Sequence, residues 1–344
     1  MGCFTVLLAA ASALTPVVAA APLYKISQTV KLGGSERWDY LYADPLTHRV
    51  YVSHGDQVTV VDGSSGKLIG SVGSFPGGTH GIAIDDASSR GYTDDGKAGK
   101  AEVFDLKSLK TLGSIDAQDD ADGIAYDPKT RHVFVVDGDA GKITVIDAAA
   151  NKAIATIDVG GKLEFAGVNG SGKLFVNGNE RNELVRIDIA TNQVEERWNF
   201  TKCQKPSGLA VDWAHDRVFS SCRNGVMEIK NGETGATVAV LPIGAGTDAA
   251  KFDAVRQRAF SSNGRDGTVT VIHEDGPDQF RVEGTVTTEK NARTMAVDDS
   301  TGRLYLTTAD TVGGPPAAPS PGQPPKRPMM VAGSARLLIL DPVN

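Results

Sequence analysis

Cysteine is scarce in this chain, and what little there is has no catalytic spacing. Cys3, Cys203 and Cys222 are the full complement in 344 residues. No CxxC pair marks a redox or zinc centre, and the absence of CxxCH excludes covalently attached haem. Charge of one sign is also missing: no block of lysine and arginine exists, and the formal net charge is −7. Electrostatics therefore gives no reason to expect nucleic acid or an anionic membrane as partner. No glycine-rich phosphate loop lies between a strand and a helix, no amphipathic helical period stands out, and neither a nucleophile elbow nor a Ser-His-Asp arrangement is legible. These absences leave α/β enzyme folds without support. The one apolar run of any length, Phe4 to Leu14, is too short to span a bilayer.

That run, followed by Pro16 and small residues, reads as a secretory signal peptide over residues 1–20, with cleavage before Ala21. The mature protein is then a single domain, 21–344, periplasmic or secreted and expected to be a monomer. Export leaves Cys203 and Cys222 in an oxidising compartment, where a disulfide is the expected state.

With 39 glycines and 16 prolines the chain is rich in turns, which favours many short strands. A repeat organises them. Short apolar runs end at Asp44, Asp85, Asp127, Asn169, Asp212, Asp253 and Asp298, a period of 41–45 residues. Each unit continues alike, as in DPLTHRVYVSHGDQVTVVDGSSGKLIGSVG and DPKTRHVFVVDGDAGKITVIDAAANKAIATIDVG: turn, strand, loop, strand, turn, strand. Four strands per forty residues is the period of a propeller blade. The seventh unit ends one strand short, and YKISQTVKLGG near the amino terminus matches the missing one. The sequence thus predicts an all-β, seven-bladed β-propeller with four antiparallel strands per blade, closed by its N-terminal strand so that no sheet edge is left open.

The segments VYVSHGDQVTVVD, VFVVDGDAGKITVID and AFSSNGRDGTVTVIHED resemble those of the YVTN-repeat, YncE-like seven-bladed propellers exported by bacteria. Similar proteins also carry SHG, HGIA, two cysteines around the fifth blade and RTMA, matching Ser53–Gly55, His80–Ala83, Cys203 with Cys222, and Arg293–Ala296 here. The resemblance runs from Leu23 to Asn344 and implies the fold and an exported location. It implies no single reaction, because the family has none.

In such a ring the start of every inner strand and every loop between the second and third strands share one face. The residue five before each terminal Asp or Asn is Asp39, His80, Asp122, Glu164, Ser207, Asp248 and Arg293. One sequence column therefore places four carboxylates, an imidazole and a guanidinium around a channel mouth. Asp39, His80, Asp122 and Glu164 fall on consecutive blades and form an acidic arc whose donors suit a divalent ion, Ca²⁺, Mn²⁺ or Zn²⁺. Crowded carboxylates also raise one another's pKa, which suits a general base, and Arg293 is placed to orient a carboxylate or phosphate. His54, one blade before His80, is expected to converge on the same ligand. The other loop residues of that face (Asp94, Asp95, Asp137, Asp139, Asn179 to Arg181, Arg223, Arg265 and Asp266) read as turn chemistry, as do His48, His132, His215 and His273 elsewhere. A proline-rich insertion, 311–333, holds seven prolines and is expected to lie over the mouth as a lid or as a docking strand for a protein partner.

Three functions fit this reading. The first is an exported binding or scaffold propeller that holds a small polar ligand or metal ion at the mouth. The second is a metal-dependent hydrolase of the lactonase type. The third is a pure protein–protein interaction scaffold.

Overall fold

The computed structural model describes residues 23–35, 37–313 and 329–343. The expected signal peptide, Cys3 and the middle of the proline-rich insertion lie outside the described residues. Within them, seven four-stranded antiparallel sheets follow one another around a ring. The first blade is Leu41–Ala43, Arg49–His54, Gln57–Asp62 and Leu68–Val72, and the second begins at Ile82–Asp85. The inner strands of the remaining blades are Ala121–Asp127, Leu163–Val168, Pro206–Asp212, Thr247–Asp253 and Thr294–Asp298. The last blade takes its outer strand from the other end of the chain. Tyr24–Lys31 pairs antiparallel with Arg336–Pro342, from Tyr24 opposite Pro342 to Lys31 opposite Arg336. No blade is left with an unpaired partner position, as the repeat predicted.

The burial pattern explains the strand sequences. Second and third strands such as RVYVSH and KITVID are buried on both faces, because each blade is sandwiched between two others. Their runs are accordingly near-continuous β-branched and aromatic residues rather than alternating ones. The fourth strands are mostly exposed. The core therefore lies between blades: Tyr51, Val58, Val60 and Phe75 of the first pack against Ile82, Ile84 and Phe104 of the second. Where inner strands converge, bulk is excluded. A Cβ on Gly81 would come within 2.5 Å of the Ile124 backbone nitrogen on the next blade, and one on Gly208 within 2.3 Å of Ala250 N.

The terminal aspartate that revealed the repeat has two structural jobs. It caps its own turn: Asp127 accepts the Thr130 amide at 3.1 Å and its hydroxyl at 2.7 Å. It also binds the next blade. The fourth residue after it adopts a left-handed conformation in six blades (His48, Ser89, Arg131, Asp216, Gln257 and Gly302). From that position Arg131 reaches back to Asp85 at 2.9 Å, His48 to Asp298 at 2.9 Å, and Asp216 to Asn169 at 3.0 Å. His48, expected as a turn residue only, is thus also the clamp that joins the first blade to the last.

A disulfide joins Cys203 to Cys222, linking the approach to the fifth inner strand to the strand beside it. The loop carrying Cys203 is held independently by buried Glu228, whose carboxylate accepts the backbone amides of Thr201, Lys202 and Cys203 at 2.8–3.1 Å. The ends of the proline-rich insertion are zipped together by a Thr311–Met330 bridge and by the Val331 amide on the Asp310 carbonyl at 2.7 Å. No helix among the described residues is long and apolar enough to cross a membrane.

Candidate functional site at the channel mouth

The sequence column assembles as two groups rather than one arc. The first is Asp39, His80 and Asp122, whose ligand atoms all lie within 4.8 Å of one another. They come from three consecutive blades, each at the point where the chain enters its inner strand. His80 is fixed by Asp94, a fully buried residue of the neighbouring strand: its carboxylate takes the His80 amide at 2.9 Å and contacts ring Nδ1 at 2.9 Å, and also accepts the Gly81 amide. Gly96 makes room for the ring, since a Cβ there would sit 2.5 Å from His80 Cε1. With Nδ1 engaged, Nε2 is the nitrogen free to meet a ligand.

The electrostatics follow from this crowding. Burial opposes charge on His80, but Asp94, Asp39 and Asp122 together raise its pKa to about 9. Burial pushes Asp94 up to about 6 against the pull of His80. Asp122 is driven well above the carboxylate range by burial and by Asp39. In the absence of another cation, His80 is the positive charge that lets these carboxylates coexist.

The second group is Glu164, Ser207, Asp248, Arg293 and Arg223. The Ser207 hydroxyl lies 2.9 Å from Asp248 and 3.5 Å from Glu164. Arg293 binds Asp248 through Nε at 2.9 Å, donates Nη2 to the Trp38 carbonyl at 2.9 Å and lies 5.2 Å over the Trp38 ring. Exposed Arg223 approaches Glu164 at 3.6 Å and Asp248 at 3.9 Å. Burial and Asp248 raise Glu164 to about 7 in spite of Arg223.

Three expectations change as a result. Glu164 does not complete the compact donor set with Asp39, His80 and Asp122; its neighbours are Ser207 and the arginines. Arg293 is not a free anion clamp, because Asp248 and Trp38 already occupy its guanidinium; Arg223 and Lys162 are more exposed cations acting on Glu164. His54 does not converge with His80. It is completely buried, with Nδ1 on the Thr59 hydroxyl at 3.1 Å and Nε2 on the Ser35 carbonyl, so it tethers the first blade to the closing segment.

Two contributors were not legible in the sequence. Asp94 read as an ordinary turn aspartate, and only the β pairing of the second blade turns it toward His80. Tyr40, next to Asp39 in the chain, packs against Phe165 with ring centroids 4.0 Å apart and planes tilted by 48°. Burial and the carboxylates of Asp122, Asp39, Glu164 and Asp248 raise its pKa, and the Tyr40–Phe165 pair forms part of the channel wall below the mouth. A further cluster, Asp212, His215 and Glu274, lies at the turn end of the fifth blade, with His215 Nδ1 2.8 Å from each carboxylate. Asp212 also caps its own turn there.

No protein-family model and no curated protein sequence matches the chain. Solved structures do. A protein titled "Structure of U3-55K" aligns with TM-score 0.75 at 10% identity, covering 94% of this chain and 99% of that one. A chain of the "Mitotic Checkpoint Complex" aligns at 0.73 and 13%, covering 100% and 99%. Kuenenia stuttgartiensis hydrazine synthase aligns at 0.69 and 15%, covering 80% and 93%. At these identities the shared property is the fold. The chain is a seven-bladed β-propeller.

Proposed function

We propose that this protein is an exported propeller of the YVTN-repeat, YncE-like kind that binds a divalent cation, or a small polar ligand through it, at its channel mouth. The observation that carries the reading is the convergence of Asp39, His80 and Asp122 from three blades within 4.8 Å, with Asp94 orienting the imidazole. Two carboxylates and a histidine backed by a carboxylate form a donor set suited to Mn²⁺ or Zn²⁺, and with added oxygen ligands to Ca²⁺. A bound ion would take over the charge balance that protonated His80 otherwise provides. The leader-like apolar run Phe4–Leu14 and the Cys203–Cys222 disulfide support export. A propeller rim is also a platform for partners, and the 311–333 insertion is the segment of this chain that would present one.

Dialysis against Zn²⁺, Mn²⁺ or Ca²⁺ followed by elemental analysis tests the reading. One equivalent is expected in the native protein. Less than about a tenth of that is expected in Asp39→Asn/Asp122→Asn, since losing charged ligands costs more than tenfold in affinity. Equal metal content in the two proteins would overturn it.

A second reading, hydrolysis of a lactone-type ester, is favoured by Glu164, a buried carboxylate at about 7 beside the exposed Arg223. Such a group is suited to accept a proton near neutrality. A lactone panel that native protein turns over and Glu164→Gln does not would establish it; no turnover by native protein would dispose of it.

A further inference from the structure

Below the mouth, at the Tyr40–Phe165 pair, the channel continues as a separate chamber of about 550 Å³, opening toward the turns of the opposite face. That volume lies within the range of small-molecule sites. Its wall is apolar and aromatic along Tyr126, Phe165 and Phe252 and polar at Asp85, Asp86 and Arg131, with Trp213 at the outer end. Trp213 is 53% exposed, an unusual surface for a tryptophan to leave open.

Two cations line this wall, and Arg131 is already paired with Asp85 at 2.9 Å. Lys251 extends from the inner strand of the sixth blade, and its ammonium lies 5.9 Å from the centre of the Phe165 ring on the fourth. Among the described residues it makes no ion pair and no hydrogen bond. Burial pushes its pKa down to about 8, and Asp299, the one carboxylate that acts on it, opposes this only in part. An amine with no hydrogen-bonded partner beside an aromatic wall is costly to keep charged, and Asp299 relieves that cost only in part. Several other charges of the channel and blades are paired: Glu228 with three amides, Asp94 with His80, Arg293 with Asp248.

We propose that the lower chamber is a binding site, distinct from the mouth, for a small aromatic carboxylate, whose ring packs on Phe165, Tyr126 and Phe252 while its anionic end pairs with Lys251. A carboxylate supplies an anionic acceptor for the Lys251 ammonium and a flat apolar body of the right size for the remaining space. A neutral amide offers only an uncharged acceptor, and a cationic ligand offers none.

Isothermal titration with benzoate, phenylacetate, cinnamate and indole-3-acetate, each against its primary amide, tests the proposal on the full-length protein. At least one acid is expected to bind about tenfold or more tighter than its amide, the worth of one charge-assisted hydrogen bond. Lys251→Met, which keeps the apolar stem, should weaken that acid by about tenfold or more. Its melting temperature without ligand should be no lower than that of the native protein, because a desolvated, unpaired charge has been removed. Val211→Trp, which fills the chamber and leaves the cation, should abolish binding. Failure of all four acids to bind overturns the proposal. So does an acid that binds but loses less than about tenfold in Lys251→Met, or one whose binding survives Val211→Trp.

Discussion

Reducing the Cys203–Cys222 disulfide perturbs the unfolded chain far more than the folded one, and the structure says by how much. The two cysteines are 19 residues apart. In the chain-entropy treatment, closing a loop of this length removes about 11 cal/mol/K from the unfolded ensemble, so the bond contributes about 3 kcal/mol at 25 °C. On the native side little is lost, because Glu228 holds the Thr201–Cys203 backbone through its own hydrogen bonds. The melting entropy of a domain this size is about 0.7 kcal/mol/K, so the midpoint should fall by about 5 °C. Calorimetry of native protein with and without reductant, and of Cys203→Ser/Cys222→Ser, measures this. In a Glu228→Gln background the loss should be larger, because Cys203 donates its amide to that carboxylate and neither device then holds the loop. A midpoint that reduction moves by less than about 1 °C, or the same loss with and without the Glu228 carboxylate, would refute the reasoning that the two devices hold one loop.

Glu228 itself should make stability depend on pH at the acid end. Burial alone would raise its pKa, but the amides of Thr201, Lys202 and Cys203 hold it down at about 2. A depressed carboxylate contributes its full stabilisation above its ordinary value of about 4.5 and loses it as the pH falls toward about 2. Urea midpoints of native and Glu228→Gln protein should therefore differ by the equivalent of about 2–3 kcal/mol at neutral pH and converge as the pH drops below about 4. Tyr24, 2% exposed in the closing strand and edge-on to Phe260 at 5.7 Å, ties the last blade to the sixth; Tyr24→Ala should cost about 3–5 kcal/mol in urea unfolding. A cost under about 1 kcal/mol would mean that the N-terminal strand contributes little to ring closure. Gly96→Ala places a methyl against the His80 ring, so it should lower metal uptake at the mouth while moving the melting point of the metal-free protein by less than about 2 °C; unchanged uptake would show that His80 does not need its present orientation.

The blade count, the four strands of each blade and the closure by Tyr24–Lys31 were all legible in the sequence. The reason is that a propeller is specified locally: a 41–45 residue period, an aspartate that caps each first turn, and apolar runs long enough for strands buried on both faces. The residue column at the mouth was legible for the same reason, since symmetry maps equal positions in the repeat to equal positions on the ring. Symmetry does not say which column members touch. Glu164 parts from Asp39, His80 and Asp122 because its hydroxyl and arginine neighbours draw it elsewhere, and His54 turns inward because Ser35 and Thr59 satisfy both its nitrogens. Asp94, Tyr40 and Lys251 matter through contacts across the pleat or across the bore, between residues that no period relates. Local sequence determined the ring and its closure; which of the inward side chains pair and which stand alone was decided only when seven blades met around one axis, where each charge takes the partner that distance and burial offer it.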